Sequence, residues 1–253
     1  MRTVRTIAWL LGTTLSGYLV AWTFGLFVLG PLLTFFFLTG RMRVVGYGNL
    51  IRAALRGRLL ILMNHPTLLF ETFGIGALLL PLFLFVPWCF IWSTPDKRLL
   101  DQWKLPRWVR TMLRCLPIDR SDTMTGVRST FAMKRVLQWR GVVVAHPERG
   151  RTFGEANRRR EPIVRSGRAM QKIASSLTEV AHLADARILP GWVEVPFSKE
   201  PVSILTSLRR MFGRKNRRYW PVTYSFSRVP YRTGTEFNRE TENARLQNEI
   251  FEA

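Results

Sequence analysis

Residues 7–39 form one run without a charged side chain, and after it the apolar positions break into short segments separated by polar turns. The run is longer than the roughly 20 residues a membrane-spanning helix needs. Gly25 and Gly30-Pro31 interrupt it, which predicts two shorter helices in a membrane-embedded hairpin over residues 1–40. A single long tilted span is the competing reading. Arg2 and Arg5 precede the run and Arg41 and Arg43 follow it. Positive charge marks the cytoplasmic side, so the hairpin keeps both ends there. A signal peptide fits poorly, because the apolar stretch is too long and no small-x-small cleavage site follows.

From Arg41 onward the period changes. Short apolar strands are predicted over 43–45, 59–63, 141–145 and from Arg187 to Pro190, with a β-like stretch over 83–92 that Pro87 interrupts. Helical spacing is predicted over 72–80 (stopped by Pro81), 103–113, 130–140 and 166–184, and a loop or strand begins at 116–118. Strands alternating with helices imply an α/β domain over 41–253, with a mainly parallel central sheet flanked by helices. Its C-terminal extension is basic. Residues 205–218 place Leu205, Leu208, Met211 and Phe212 at helical spacing among arginines, which suits either an amphipathic helix on lipid or a solvated basic loop. The tail after Thr233 is polar, with an exposed helix expected over 240–252.

Composition narrows the function. The 253 residues are 47% hydrophobic and carry 38 Lys+Arg against 17 Asp+Glu, a net charge of +21. Anionic membrane lipids are favoured as the partner, since the basic excess accompanies a long apolar run. Nucleic acid is not expected as a partner, because it would explain the charge but not the apolar run, and no recognition motif of that class is present. Two cysteines, Cys89 and Cys115, cannot build a disulfide framework and read as core thiols of a cytosol-facing domain. The three histidines, His65, His146 and His182, show no pair spaced like metal ligands, so neither metal nor cofactor is expected.

Four constellations follow one another at the ends of the apolar strands. Asn64-His65-Pro66-Thr67-Leu68-Leu69 resembles the first motif of the PlsC-like lysophospholipid acyltransferases, and Leu116-Pro117-Ile118-Asp119-Arg120 resembles their second. His146-Pro147-Glu148-Arg149-Gly150-Arg151-Thr152 is similar to the third, and Ile188-Leu189-Pro190 to the fourth. The resemblance spans roughly residues 41–200. It implies a glycerolipid-acyltransferase fold and an acyl transfer from acyl-CoA or acyl carrier protein to a lysolipid hydroxyl. The default acceptor is a lysophospholipid, 1-acylglycerol-3-phosphate, converted to phosphatidate at the cytoplasmic face of a membrane (the inner membrane in a bacterium).

Residue by residue, the resemblance makes His65 the general base. The residues themselves agree: a neutral imidazole at the end of a buried strand suits proton removal from an attacking hydroxyl, provided a carboxylate orients its other nitrogen. The family pattern puts Asp at position 70, where this chain has Phe70 and then Glu71. Glu71 is the candidate orienting acid, although on a regular helix one extra step turns a side chain about 100° away. Should it point away, the chain becomes a membrane-anchored lipid-binding protein of the same fold. Asn64, Glu148, Gly150, Arg151 and Thr152 are expected at the acceptor site, with the Arg151 fork matched to phosphate. Asp119 holds Arg120 toward phosphate, or the two form a structural ion pair. Pro190 is expected to shape the wall of an acyl channel, and His146 to pack where the family has an aromatic residue.

Overall fold

The computed structural model describes residues 30–66, 70–83, 85–102, 106–118, 123–148, 162–173, 176–195 and 221–253, with Lys104 and a few isolated positions before Gly30. Most of the expected hairpin over 1–40 and the basic run over 205–218 lie outside the described residues. Among the described residues, no helix is long and apolar enough to cross a membrane.

The chain enters through α1 (Gly30–Leu38), then β1 (Met42–Val45), α2 (Tyr47–Arg56), β2 (Leu59–Met63) and α3 (Phe70–Phe83). It continues through β3 (Trp92–Ser93), α4 (Lys97–Gln102), α5 (Arg107–Met112), α6 (Thr123–Gln138) and β4 (Val142–Ala145). A hairpin of β5 (Ile163–Arg165) and β6 (Arg168–Met170) precedes α7 (Leu177–Leu183), β7 (Arg187–Glu194), β8 (Val222–Phe226) and α8 (Arg239–Glu252). Six strands form a mixed, mostly parallel sheet in the order β1-β8-β7-β2-β4-β3, in which only β7 and β8 pair antiparallel. The fold is α/β, with helices on both faces.

The middle strands β2 and β4 are buried at every position, as expected of parallel strands covered on both sides. Their alternating side chains feed two cores. Leu59, Ile61 and Met63 pack with Leu50 and Ala54 of α2 and with Ile75, Leu78 and Leu79 of α3. Leu60 and Leu62 pack on the other face with Met133 and Leu137 of α6, Val180 of α7, and Leu246 and Ile250 of α8.

Several elements differ from the sequence expectation, each for a local reason. The helix expected to stop at Pro81 runs on to Phe83; Pro81 removes one N–H bond near the end of a helix whose buried side chains still hold it. The stretch 83–92 holds a 3-10 turn over Pro87–Cys89, and strand begins only at its last residue, with β3 over Trp92–Ser93. The helix expected over 103–113 is shorter, α5 alone, with Pro106 at its N-terminal boundary, and α4 is a separate helix before it. The segment 166–184 contains a hairpin before its helix, because Ser166 and Gly167 both take positive φ, 49° and 77°, the geometry of a two-residue hairpin turn. The C-terminal helix is not exposed: it is capped by the Asn238 side chain on the N–H groups of Glu240 and Thr241, and it buries Leu246, Ile250 and Phe251.

Candidate active site

Strands β2 and β4 are parallel neighbours, with Leu62 opposite Ala145. Asn64-His65 and His146-Pro147-Glu148 therefore leave the sheet side by side. The connection after β2 runs into α3 on one face, whereas that after β4 reaches α7 on the other. In α/β sheets, divergence of neighbouring connections marks the end of the sheet at which ligands bind.

Three contacts fix His65. Its backbone N–H donates to Glu148 Oε1 at 2.7 Å. Its ring Nδ1 lies 3.3 Å from Glu71 Oε1, with Glu71 1% exposed and the His65 side chain 16% exposed. Its ring face stacks on His146, centroids 4.3 Å apart and planes 11° apart. A carboxylate only accepts, so a hydrogen bond in this pair puts the proton on Nδ1 and leaves the lone pair on Nε2. That is the tautomer of a general base.

Helix α3, described from Phe70, carries Glu71 in its first turn. An acidic side chain is also favoured there by the helix dipole.

Glu148 is fully buried, and both its oxygens accept backbone N–H groups, Oε1 from His65 and Oε2 from Gln171, each at 2.7 Å. It joins the loop after β2 to the segment after β6. Asn64 is likewise buried: its amide donates to Val193 O at 2.9 Å and accepts from Val193 N at 2.7 Å, which extends the β2–β7 ladder by a side chain.

Pro190 lies inside β7 opposite Leu62. Alternation puts it on the face of Ile188 and Trp192, away from α3. Its carbonyl accepts from Ser227 N just beyond β8, and the reciprocal N–H that proline lacks falls at that same end of the β7–β8 ladder, where pairing stops. Asp119, Arg120, Gly150, Arg151 and Thr152 lie outside the described residues.

The structure adds residues the sequence reading did not connect. His146 Nδ1 is 3.4 Å from Met63 O, and Thr72 Oγ1 is 3.3 Å from His146 Nε2. His146 keeps an accessible edge, but its ring is packed deeply enough that burial, followed by the neighbouring His65, lowers its pKa to about 3. Tyr224 of β8 is buried beneath α3, and burial followed by the Glu71 charge pushes its phenol above the ordinary tyrosine range. Gly74, a glycine inside an apolar helix, was the one sequence sign of a close approach there. Among the described residues, no group of three or more His, Cys, Asp and Glu could hold a metal ion.

No family model matches the chain, and no curated protein does. Among solved structures, that of the 1-acyl-sn-glycerophosphate (LPA) acyltransferase PlsC from Thermotoga maritima aligns over 99% of this chain and 95% of that one. The two share 14% identity with a TM-score of 0.48. A likeness of this strength bears on neither family nor reaction.

Proposed function

We propose that the protein is a membrane-bound acyltransferase that moves a fatty acyl group from a thioester donor, acyl-CoA or acyl carrier protein, to the hydroxyl of a lysolipid. The observation that carries this reading is the approach of Glu71 Oε1 to His65 Nδ1 at 3.3 Å, at the ends of two parallel strands. His65 Nε2 takes the proton from the lysolipid hydroxyl as its oxygen attacks the thioester carbonyl, and the carbonyl oxygen gains negative charge. The tetrahedral adduct collapses with loss of thiolate, to which the imidazolium returns the proton. Glu71 keeps the imidazole in the required tautomer and stabilises the imidazolium. The binding-protein alternative rests on Phe70 displacing the acid; the approach of Glu71 to His65 favours the enzyme.

The favoured acceptor is 1-acylglycerol-3-phosphate, with Arg151 and Arg120 as phosphate ligands, since a guanidinium fork matches phosphate bidentately. The apolar run over 7–39 attaches the protein to the membrane, and the basic surface draws it to anionic lipid. The test offers labelled acyl-CoA and acyl carrier protein to the full chain in lipid with a panel of lysolipids. Transfer to lysophosphatidate above all others supports this acceptor. Transfer to a different lysolipid keeps the enzyme and replaces the acceptor, and transfer to none overturns the reading.

A further inference from the structure

Glu71 is a carboxylate almost wholly removed from water in the first turn of α3. Buried charge is tolerated only where donors surround it. A carboxylate offers about four acceptor positions, and the His65 ring is one of its partners.

Gly74 follows Glu71 by three residues, so the two share one face of the helix and lie about one turn apart. A Cβ placed on Gly74 would fall 2.0 Å from the Tyr224 hydroxyl oxygen and 2.4 Å from the ring carbon that bears it. The tip of the phenol is therefore seated on the bare backbone at Gly74, on the face of α3 that carries Glu71. Tyr224 reaches there from β8 and is 2% exposed. A buried tyrosine hydroxyl usually finds an acceptor, and the fully buried phenol stays protonated because burial and the Glu71 charge both oppose its ionisation.

We propose that Tyr224 is a positioning residue whose hydroxyl steadies the Glu71 carboxylate, making a three-member chain Tyr224–Glu71–His65. The inference deepens the acyltransferase reading and rests on it for its catalytic meaning. It also gives physical sense to the displaced acid. The longer glutamate side chain, one position later than the pattern expects, is held from behind by a residue of another strand. Gly74 is the gap that admits that residue.

The experiment uses the full chain in lipid, labelled with 13C at histidine, with the signals of the three histidines assigned through His146→Phe and His182→Gln. In Tyr224→Phe the His65 ring signals at fixed pH are expected to shift, since one carboxylate serves both partners, while the His182 signals stay in place. In the transfer assay kcat falls about tenfold with KM little changed, as for loss of a charge-assisted hydrogen bond acting only on the chemical step. An unmoved His65 signal overturns the proposal whatever the activity. Absence of transfer by the unsubstituted chain would remove the acyltransferase reading and leave this measurement still decisive. Should Tyr224→Phe fail to fold, 13Cζ-tyrosine labelling of the Glu71→Gln chain decides the matter. A shifted Tyr224 signal supports the contact, and an unshifted one overturns it.

Discussion

His146 lies flat against His65, with ring centroids 4.3 Å apart and planes tilted by 11°. Stacked rings do not exchange a proton through their edges. The nitrogens of His146 are directed elsewhere, Nδ1 toward the Met63 carbonyl and Nε2 toward the Thr72 hydroxyl. His146 thus forms a wall behind the His65 ring while Glu71 holds its edge, and a ring held on face and edge has little freedom left to turn.

That wall has a pH signature. His146 binds its proton near pH 6.5 when unfolded and near 3 when folded. The unfolded chain therefore takes up protons first, and the stability from keeping this imidazole neutral is complete above pH 6.5 and is lost as pH falls toward 3. Between pH 7 and pH 5 unfolding should become easier by about 2 kcal/mol, measured by denaturant titration at each pH. His146→Phe keeps the stack and should flatten this dependence.

Glu148→Ala should cost about 2–4 kcal/mol, because it strands two buried backbone donors, those of His65 and Gln171. Glu148→Gln should recover only part of this loss, as its NH2 group would face one of the two N–H groups. Unfolding midpoints of the three proteins check the order.

Asn64→Ala removes the paired bonds to Val193 and should destabilise by about 2 kcal/mol. It should also loosen the His65 loop, which would appear as faster amide hydrogen exchange at Asn64 and His65.

Gly74→Ala drives a methyl group into the Tyr224 phenol. Overpacking of this kind costs about 1–3 kcal/mol, and a lower thermal midpoint should be accompanied by lower turnover. A fully stable Gly74→Ala protein would contradict the packing described for Tyr224.

The strands that frame the site were legible because they are continuous apolar runs: Leu59–Met63 and Val142–Ala145 cannot be placed anywhere but in a core. The motif residues follow from those strand ends. What the chain pattern concealed was long-range or conformational. Ser166 and Gly167 look like part of a helix until their positive φ turns the chain back. The alternation in Val222–Phe226 acquires meaning only once β1 and β7 flank it, so Tyr224 could not be connected with Glu71 beforehand. The side of the helix on which Glu71 falls was undecidable, because it depends on where α3 starts. Glu148, expected at the acceptor site, was legible as important, but its commitment to two backbone N–H groups needed coordinates.

The central claim is that His65 acts as a base oriented by Glu71, and acyl-transfer turnover by purified full-length protein in lipid tests it most directly, with His65→Ala and Glu71→Ala alongside. The account predicts loss of turnover in both, by about 100-fold or more for His65→Ala, the usual scale of a positioned general base. Turnover that persists in His65→Ala at the rate of the unsubstituted protein would contradict it.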